Sequence, residues 1–405
     1  MESTVNSNST PEPSKGNQID FSNTEIAFSN KSNLELKKMA RLFNLMANPL
    51  LTNVGSKLGL LSIKLRLPFV KSIVKATIFE QFCGGENLLD CQEAIDKLYK
   101  YNTLTVLDYG AEGKTSEEEL NEVVAEFERA IELAASNNSV PVITIKVTGL
   151  ADNGLLMKVQ NGDELSANDK VLYDRLIQRV ETVCSKASDL KVGVFIDAEE
   201  SWLQDAIDDV VTMMMEKYNK DSVTVYNTYQ LYRHDKLAQL KADHKKGEQE
   251  GYLIGAKLVR GAYMEKERER ASEMGYKSPI QPNKKATDKD FDAAVKFCLH
   301  NYKSIASCCA SHNIASNKKQ ADLIDKLGIQ KDHPHINFCQ LYGMSDYITF
   351  NIANAGYNVA KYVPYGPIKE VVPYLIRRAQ ENTSVTGEMT RELNYINLEK
   401  KRRKI

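Results

Sequence analysis

The chain is predicted to fold as an α/β (βα)₈ TIM-like barrel preceded by an N-terminal helical arm. From residue 104 onward, eight short β-branched or aromatic runs alternate with helix-period patterns, which argues for parallel strands joined by crossover helices. The alternation spans about 280 residues, the size of such a barrel with modest insertions. A doubly wound nucleotide-binding sheet is the alternative, but no GxGxxG follows the first strand and no Walker A loop is present.

The first segment, residues 1–33, reads as a flexible polar leader rich in Ser, Asn and Pro. Its first thirty residues hold one Lys and no Arg, which fits neither a signal peptide nor a mitochondrial presequence. Residues 34–100 read as a helical arm. Within it, residues 41–80 carry Arg41, Lys57, Lys64, Arg66, Lys71 and Lys75 against a single acid, Glu80, with apolar residues between them at helical spacing. That pattern suits a helix packed on the barrel, or a peripheral contact with anionic membrane. No apolar stretch reaches the roughly 20 residues needed to span a bilayer.

The barrel is assigned to residues 101–385. Its strands are "LTVLDYG", "VITIKVTG", "VGVFIDAE", "VTVYNTYQ", "GAKLVRGAY", "IASCCASHN", "INFCQLYG" and "NVAKYVPYG". The first intervening helix opens with Ser116 and Glu119 in a capping-box pattern. The remainder, 386–405, ends in "KKRRKI" and reads as a solvated basic tail. With 42% apolar and 26% charged residues and a net charge of −1, nothing marks a nucleic-acid partner. Seven cysteines without a CxxC fit a reduced, intracellular protein lacking structural zinc.

Barrel active sites sit at the C-terminal ends of the strands, so polar residues there become candidates. Lys146 interrupts a β-branched strand and demands a partner; Asp197, ending the next strand, can supply it. Asn227 and Gln230 offer neutral amides suited to a planar heterocycle. Lys257, Arg260, Gly261, Tyr263, His312 and Asn313 also lie at strand ends. "YVPYGPIKEVVPYLIRRAQEN" carries the last strand into a helix bearing Arg377 and Arg378, a pair able to grip a carboxylate bidentately. Glu381, four residues from Arg377, can orient it; a plain surface ion pair is the alternative. "HPH" at His333 and His335 has metal-ligand spacing but precedes a strand, at the end of the barrel where sites do not form, and no other cluster suggests a metal.

Five of these segments, "IDAEE", "YNTYQ", "KLVRGAY", "SHN" and the Arg377–Arg378 run, follow in the order of the motifs of the proline dehydrogenase family, which residues 100–385 resemble. The resemblance implies a distorted (βα)₈ barrel with FAD over its mouth. It implies oxidation of L-proline to Δ¹-pyrroline-5-carboxylate, with electrons passed to a membrane quinone. By position, Arg377 and Arg378 would bind the proline carboxylate with help from Lys146, and Glu381 would hold the arginines. Leu341, Tyr362 and Tyr374 would line the ring pocket. Asp197 would lie by the flavin and Lys146, Asn227 would contact the isoalloxazine, and Lys257 would stand near flavin N5. Val259, Arg260, Gly261 and Ala262 would cradle the cofactor, and His312 would bind it. Lys146, Asp197 and Lys257 are thus the catalytic candidates.

Two positions depart from some bacterial members of the family, which have Arg at Lys257 and Gln at Asn227. The hydroxyproline branch has a smaller residue at Tyr362, so this chain is expected to prefer proline. Rival readings are a hydroxyproline dehydrogenase or another flavin-dependent (βα)₈ barrel, a metal-dependent barrel hydrolase and a non-catalytic membrane-associated scaffold. The expected location is the cytoplasmic face of a bacterial membrane, or the mitochondrial inner membrane in a eukaryote.

Overall fold

A computed structural model describes residues 19–47, 70–110, 113–384 and 388–405, without the side chains of 70–71, 373 and 378–389. Eight parallel strands close a barrel in sequence order, β1 pairing with both β2 and β8. They are β1 (Leu104–Tyr109), β2 (Val142–Ile145), β3 (Gly193–Ile196), β4 (Val225–Gln230), β5 (Ile254–Val259), β6 (Ile305–Ala310), β7 (Ile336–Leu341) and β8 (Val359–Tyr365). Each of the eight runs read from the sequence contains one strand.

Two apolar layers follow from the two-residue period of a strand. One set of side chains, including Val106, Phe195, Tyr226, Cys308, Cys339 and Tyr362, fills the barrel interior. The alternate set, such as Val194, Val225, Ala256 and Leu258, packs outward against the helices. The register is tight at Gly255, where a Cβ would lie 2.2 Å from the Val225 carbonyl oxygen and 2.7 Å from the Tyr226 Cα. Helix starts follow ordinary capping chemistry. The Ser116 side chain accepts the Glu119 N–H at 3.2 Å ahead of the helix Glu117–Ala135.

The terminal segments depart from expectation. The polar leader is not solvated throughout: Phe21, Ala27 and Phe28 are buried in the main core, because two aromatics in an otherwise polar stretch suffice to anchor it. The helix Asn33–Met46 begins with a complete capping box between Ser32 and Glu35 and buries Leu36, Met39, Ala40, Phe43 and Met46. That part of the arm is therefore a packed helix. Residues 48–69, the centre of the basic stretch, lie outside the described residues.

The C-terminal residues expected as a basic tail form the helix Glu388–Arg402, packed on Asn33–Met46. Glu392, Ile396 and Glu399 are buried along one of its faces. The charge run hid that face because two of its three positions are carboxylates. Glu399 accepts from Arg402 and Arg403, and the Arg403 guanidinium donates to the carbonyls of Phe28 and Lys31 at 2.8 and 2.7 Å.

The Gly255 contact yields a test of the β4–β5 register. Gly255→Ala should destabilise the protein by about 3 kcal/mol or more, measured by denaturant unfolding, since backbone cannot move aside as a side chain can.

Candidate active site

The mouth of the barrel is organised around one half-buried carboxylate. Asp197, just beyond β3, is ion-paired through Oδ1 with Lys257 of β5. Its Oδ2 accepts a 2.7 Å bond from the Tyr362 hydroxyl of β8 and lies 3.4 Å from the Lys146 ammonium after β2. Lys146 is held more closely by Asp108 of β1, at 2.6 Å, and lies 3.5 Å from the Tyr362 hydroxyl. The Lys257 ammonium also sits 4.7 Å from the Tyr362 ring centre and 5.4 Å from that of Phe195. Five strands thus deliver two carboxylates, two ammoniums and a phenol to one place.

Strand alternation explains the convergence. Asp108 shares the face of Val106, Asp197 that of Phe195, and Lys257 is registered with Cys308, all interior positions. Burial alone would raise the Asp197 carboxyl, but Lys257 and Lys146 outweigh it and hold the group below its usual 3.8. Asp108 goes the other way: burial outweighs Lys146 and pushes it up. The Tyr362 phenol is raised by burial and by both carboxylates, so it donates rather than ionises.

The expected Lys146–Asp197 pairing is present, though each has a nearer partner. Asp108 was not singled out in the sequence; its signal was a carboxylate ending "LTVLDY" among buried residues. Asn227 does not face the mouth. It has the outward register of Val225 and Tyr229, and its amide donates to Asp208 of the helix Ser201–Tyr218 at 3.0 Å. Gln230, at the end of β4, has the inward register instead. Its amide nitrogen donates to the Glu199 carbonyl at 3.0 Å, while its buried Oε1 has no hydrogen-bond partner among the described residues.

After β5, Val259 and Ala262 are half-buried and Gly261 is exposed with φ +132°, a conformation a side chain would strain. The Arg260 guanidinium is committed to Asp288, Ser311 and Ser316 at 2.8, 2.7 and 3.0 Å, so its planar face packs over Phe291. His312, after β6, shares a 2.8 Å hydrogen bond with the Ser345 hydroxyl. Leu341 at the end of β7 is half-buried against the interior cluster, and Tyr374 is buried close enough to raise the Tyr362 phenol further. Arg377 is half-buried on the helix Ile368–Ser384 that follows β8. The side chains of Arg378 and Glu381 lie outside the described residues.

A model of the family described as proline dehydrogenase matches residues 91–391, well over half of the chain. The chain belongs to the proline dehydrogenase family. Among individual relatives, it is 33% identical to proline dehydrogenase 1, mitochondrial, of Drosophila melanogaster, over 80% of this chain and 49% of that protein. It is 29% identical to hydroxyproline dehydrogenase of Xenopus laevis, over 93% of this chain and 88% of that protein. Its fold is similar to the crystal structure of proline utilization A from Bdellovibrio bacteriovorus inactivated by N-propargylglycine. That likeness has a TM-score of 0.69 at 22% identity, over 89% of this chain and 38% of that one. The chain thus spans about half the length of the Drosophila proline dehydrogenase.

The opposed pKa shifts predict a pH signature for this proline dehydrogenase family member. Asp197→Asn leaves two buried ammoniums under-compensated and should cost about 3–5 kcal/mol of stability near neutral pH. Because the folded-state value of Asp197 is depressed, its contribution is present above the ordinary 3.8 and is lost as pH falls through the lower folded value. The stability gap between the variant and wild type should therefore narrow in unfolding curves taken from pH 7 down to pH 3.

Proposed function

We propose that the chain oxidises L-proline to Δ¹-pyrroline-5-carboxylate, the first step of proline catabolism. A hydride leaves C5 and the ring amine gives up its proton as the C=N bond forms. The observation that carries this reading is the buried Asp108–Lys146–Asp197–Lys257 quartet under Tyr362, inside the span matched by the family. FAD, when bound, supplies the hydride acceptor. One feature of the mouth suits it: the buried Gln230 Oε1, which has no hydrogen-bond partner among the described residues and can accept a ring N–H. Gln230 rather than Asn227 is therefore the amide we assign to the isoalloxazine. Arg260, bonded to three neighbours, would steady the loop around the cofactor, with Val259, Gly261, Ala262 and His312 beside it.

The quartet is charge-balanced, two carboxylates against two ammoniums. An entering substrate carboxylate therefore needs positive charge from elsewhere, and Arg377 and Arg378 supply it, with Glu381 orienting them. Lys146 adds a third cation to that end of the substrate. Tyr362, Tyr374 and Leu341 shape the ring pocket and exclude water, which strengthens each charge contact in the site. Lys257, fixed by Asp197 and two aromatic rings, places a positive group where charge develops during hydride departure.

Electrons would pass to a membrane quinone. Among the described residues no helix is long and apolar enough to cross a membrane, so this reading needs peripheral contact. The basic stretch 41–80 meeting anionic lipid would supply it. Relatives from Drosophila melanogaster and Homo sapiens are named as mitochondrial, which favours the mitochondrial setting over the bacterial one.

Anaerobic L-proline should bleach the yellow flavin absorbance of the purified protein; a colourless protein, or one that proline leaves oxidised, would sink the reading. Arg377→Met should lower kcat/KM for proline by about 10²–10³-fold, as expected when one partner of a desolvated charge pair is lost. A second prediction concerns the Tyr362 hydroxyl, which occupies space beside Asp197. Tyr362→Ser should raise the ratio of kcat/KM for 4-hydroxyproline over proline by about 10-fold or more in parallel dye-reduction assays.

A further inference from the structure

We propose that Glu392, on the C-terminal helix, is a positioning residue for the FAD site, acting through Ser345 on His312. The inference rests on the flavin reading above. Glu392 follows directly on the span matched by the family and is buried. Its Oε2 accepts the backbone N–H of Ser345 at 2.8 Å, across a sequence separation of 47 residues. Ser345 lies in the loop after β7 with φ 53° and ψ 41°, a left-handed conformation that a non-glycine residue adopts only when its surroundings enforce it. That conformation points the Ser345 hydroxyl at His312 Nδ1, 2.8 Å away. His312 ends β6 at the mouth. The carboxylate therefore holds a strained residue whose only side-chain polar group is spent on His312, the residue the flavin reading assigns to the cofactor.

The rest of the loop is pinned independently. Lys361 donates to the Met344 carbonyl at 2.5 Å and pairs with Asp346 at 2.8 Å. Gln81 donates to the Gly343 carbonyl at 2.7 Å. With its neighbours held by other elements, Ser345 is the point where the C-terminal helix, through Glu392, bonds the loop. A charge-assisted bond is roughly twice as strong as a neutral one, enough to offset a left-handed serine. Fixing the hydroxyl also fixes the His312 ring orientation, as a partner on one ring nitrogen commonly does.

The test is equilibrium binding of FAD to apoprotein, followed by quenching of flavin fluorescence, with thermal melts of each apoprotein alongside. Wild-type apoprotein that fails to bind FAD overturns the flavin reading itself. If wild type binds, Glu392→Ala and Ser345→Gly should each weaken FAD binding by about 10-fold or more, the scale of lost outer-shell support. The double variant should be little worse than the weaker single one, because both changes break one chain of contacts. Glu392→Gln keeps an acceptor and should stay within about threefold of wild type. Ser345→Gly relieves the left-handed strain, so it decides the matter if Glu392→Ala does not fold. FAD affinities unchanged in both single variants, or fully additive losses, would overturn the proposal; a lowered apoprotein melting temperature with unchanged FAD affinity would do the same.

Discussion

Asp197 is the constraint on which the rest of the site depends. One carboxylate answers two ammoniums and a phenol in the interior of the barrel. Burying any of these charges alone would cost several kcal/mol, so none can be placed there without the others. Their backbones come from β1, β2, β3, β5 and β8. The charges meet only when the sheet is closed and every one of those strands is in register, since a one-residue slip turns each side chain to the opposite face. The polar centre thus discriminates between the native barrel and its near neighbours more sharply than the apolar layers around it.

The barrel itself was legible in the sequence because parallel strands covered on both faces leave a strong compositional mark. All eight runs contain strands, and the separation into inner and outer layers follows from alternation alone. The same alternation, counted residue by residue, places Asn227 outward and Gln230 inward, a distinction that residue type alone does not make. Lys361 in "NVAKYVPYG" resembles Lys146 and Lys257 in type, yet its parity turns it toward the helices and Asp346. Asp108 escaped notice because a strand-end aspartate is common, and what marks it is the lysine one strand away, visible only once the two strands are paired.

The terminal segments were least legible, for a physical reason. Their buried positions are few and partly charged, so hydropathy alone reads them as solvated. Glu399 is fully enclosed yet satisfied by Arg402 of its own helix and Arg403 just past it, and Arg403 also donates to backbone carbonyls near Phe28. Neither pattern has a periodicity signal. The loops over the mouth show the same economy: Glu199 accepts the Thr148 N–H at 3.0 Å, and Glu267 accepts both the N–H and the hydroxyl of Ser201 at 2.6 Å. Acidic residues that look like surface charge in the sequence are the fasteners of the loops that frame the site.

The pairing of β1 with β8, and of Arg403 with the carbonyls of Phe28 and Lys31, joins early residues to late ones. During translation, the first strand keeps one edge open until the eighth has left the ribosome. Products that stall before that point expose an unpaired sheet edge, which favours aggregation.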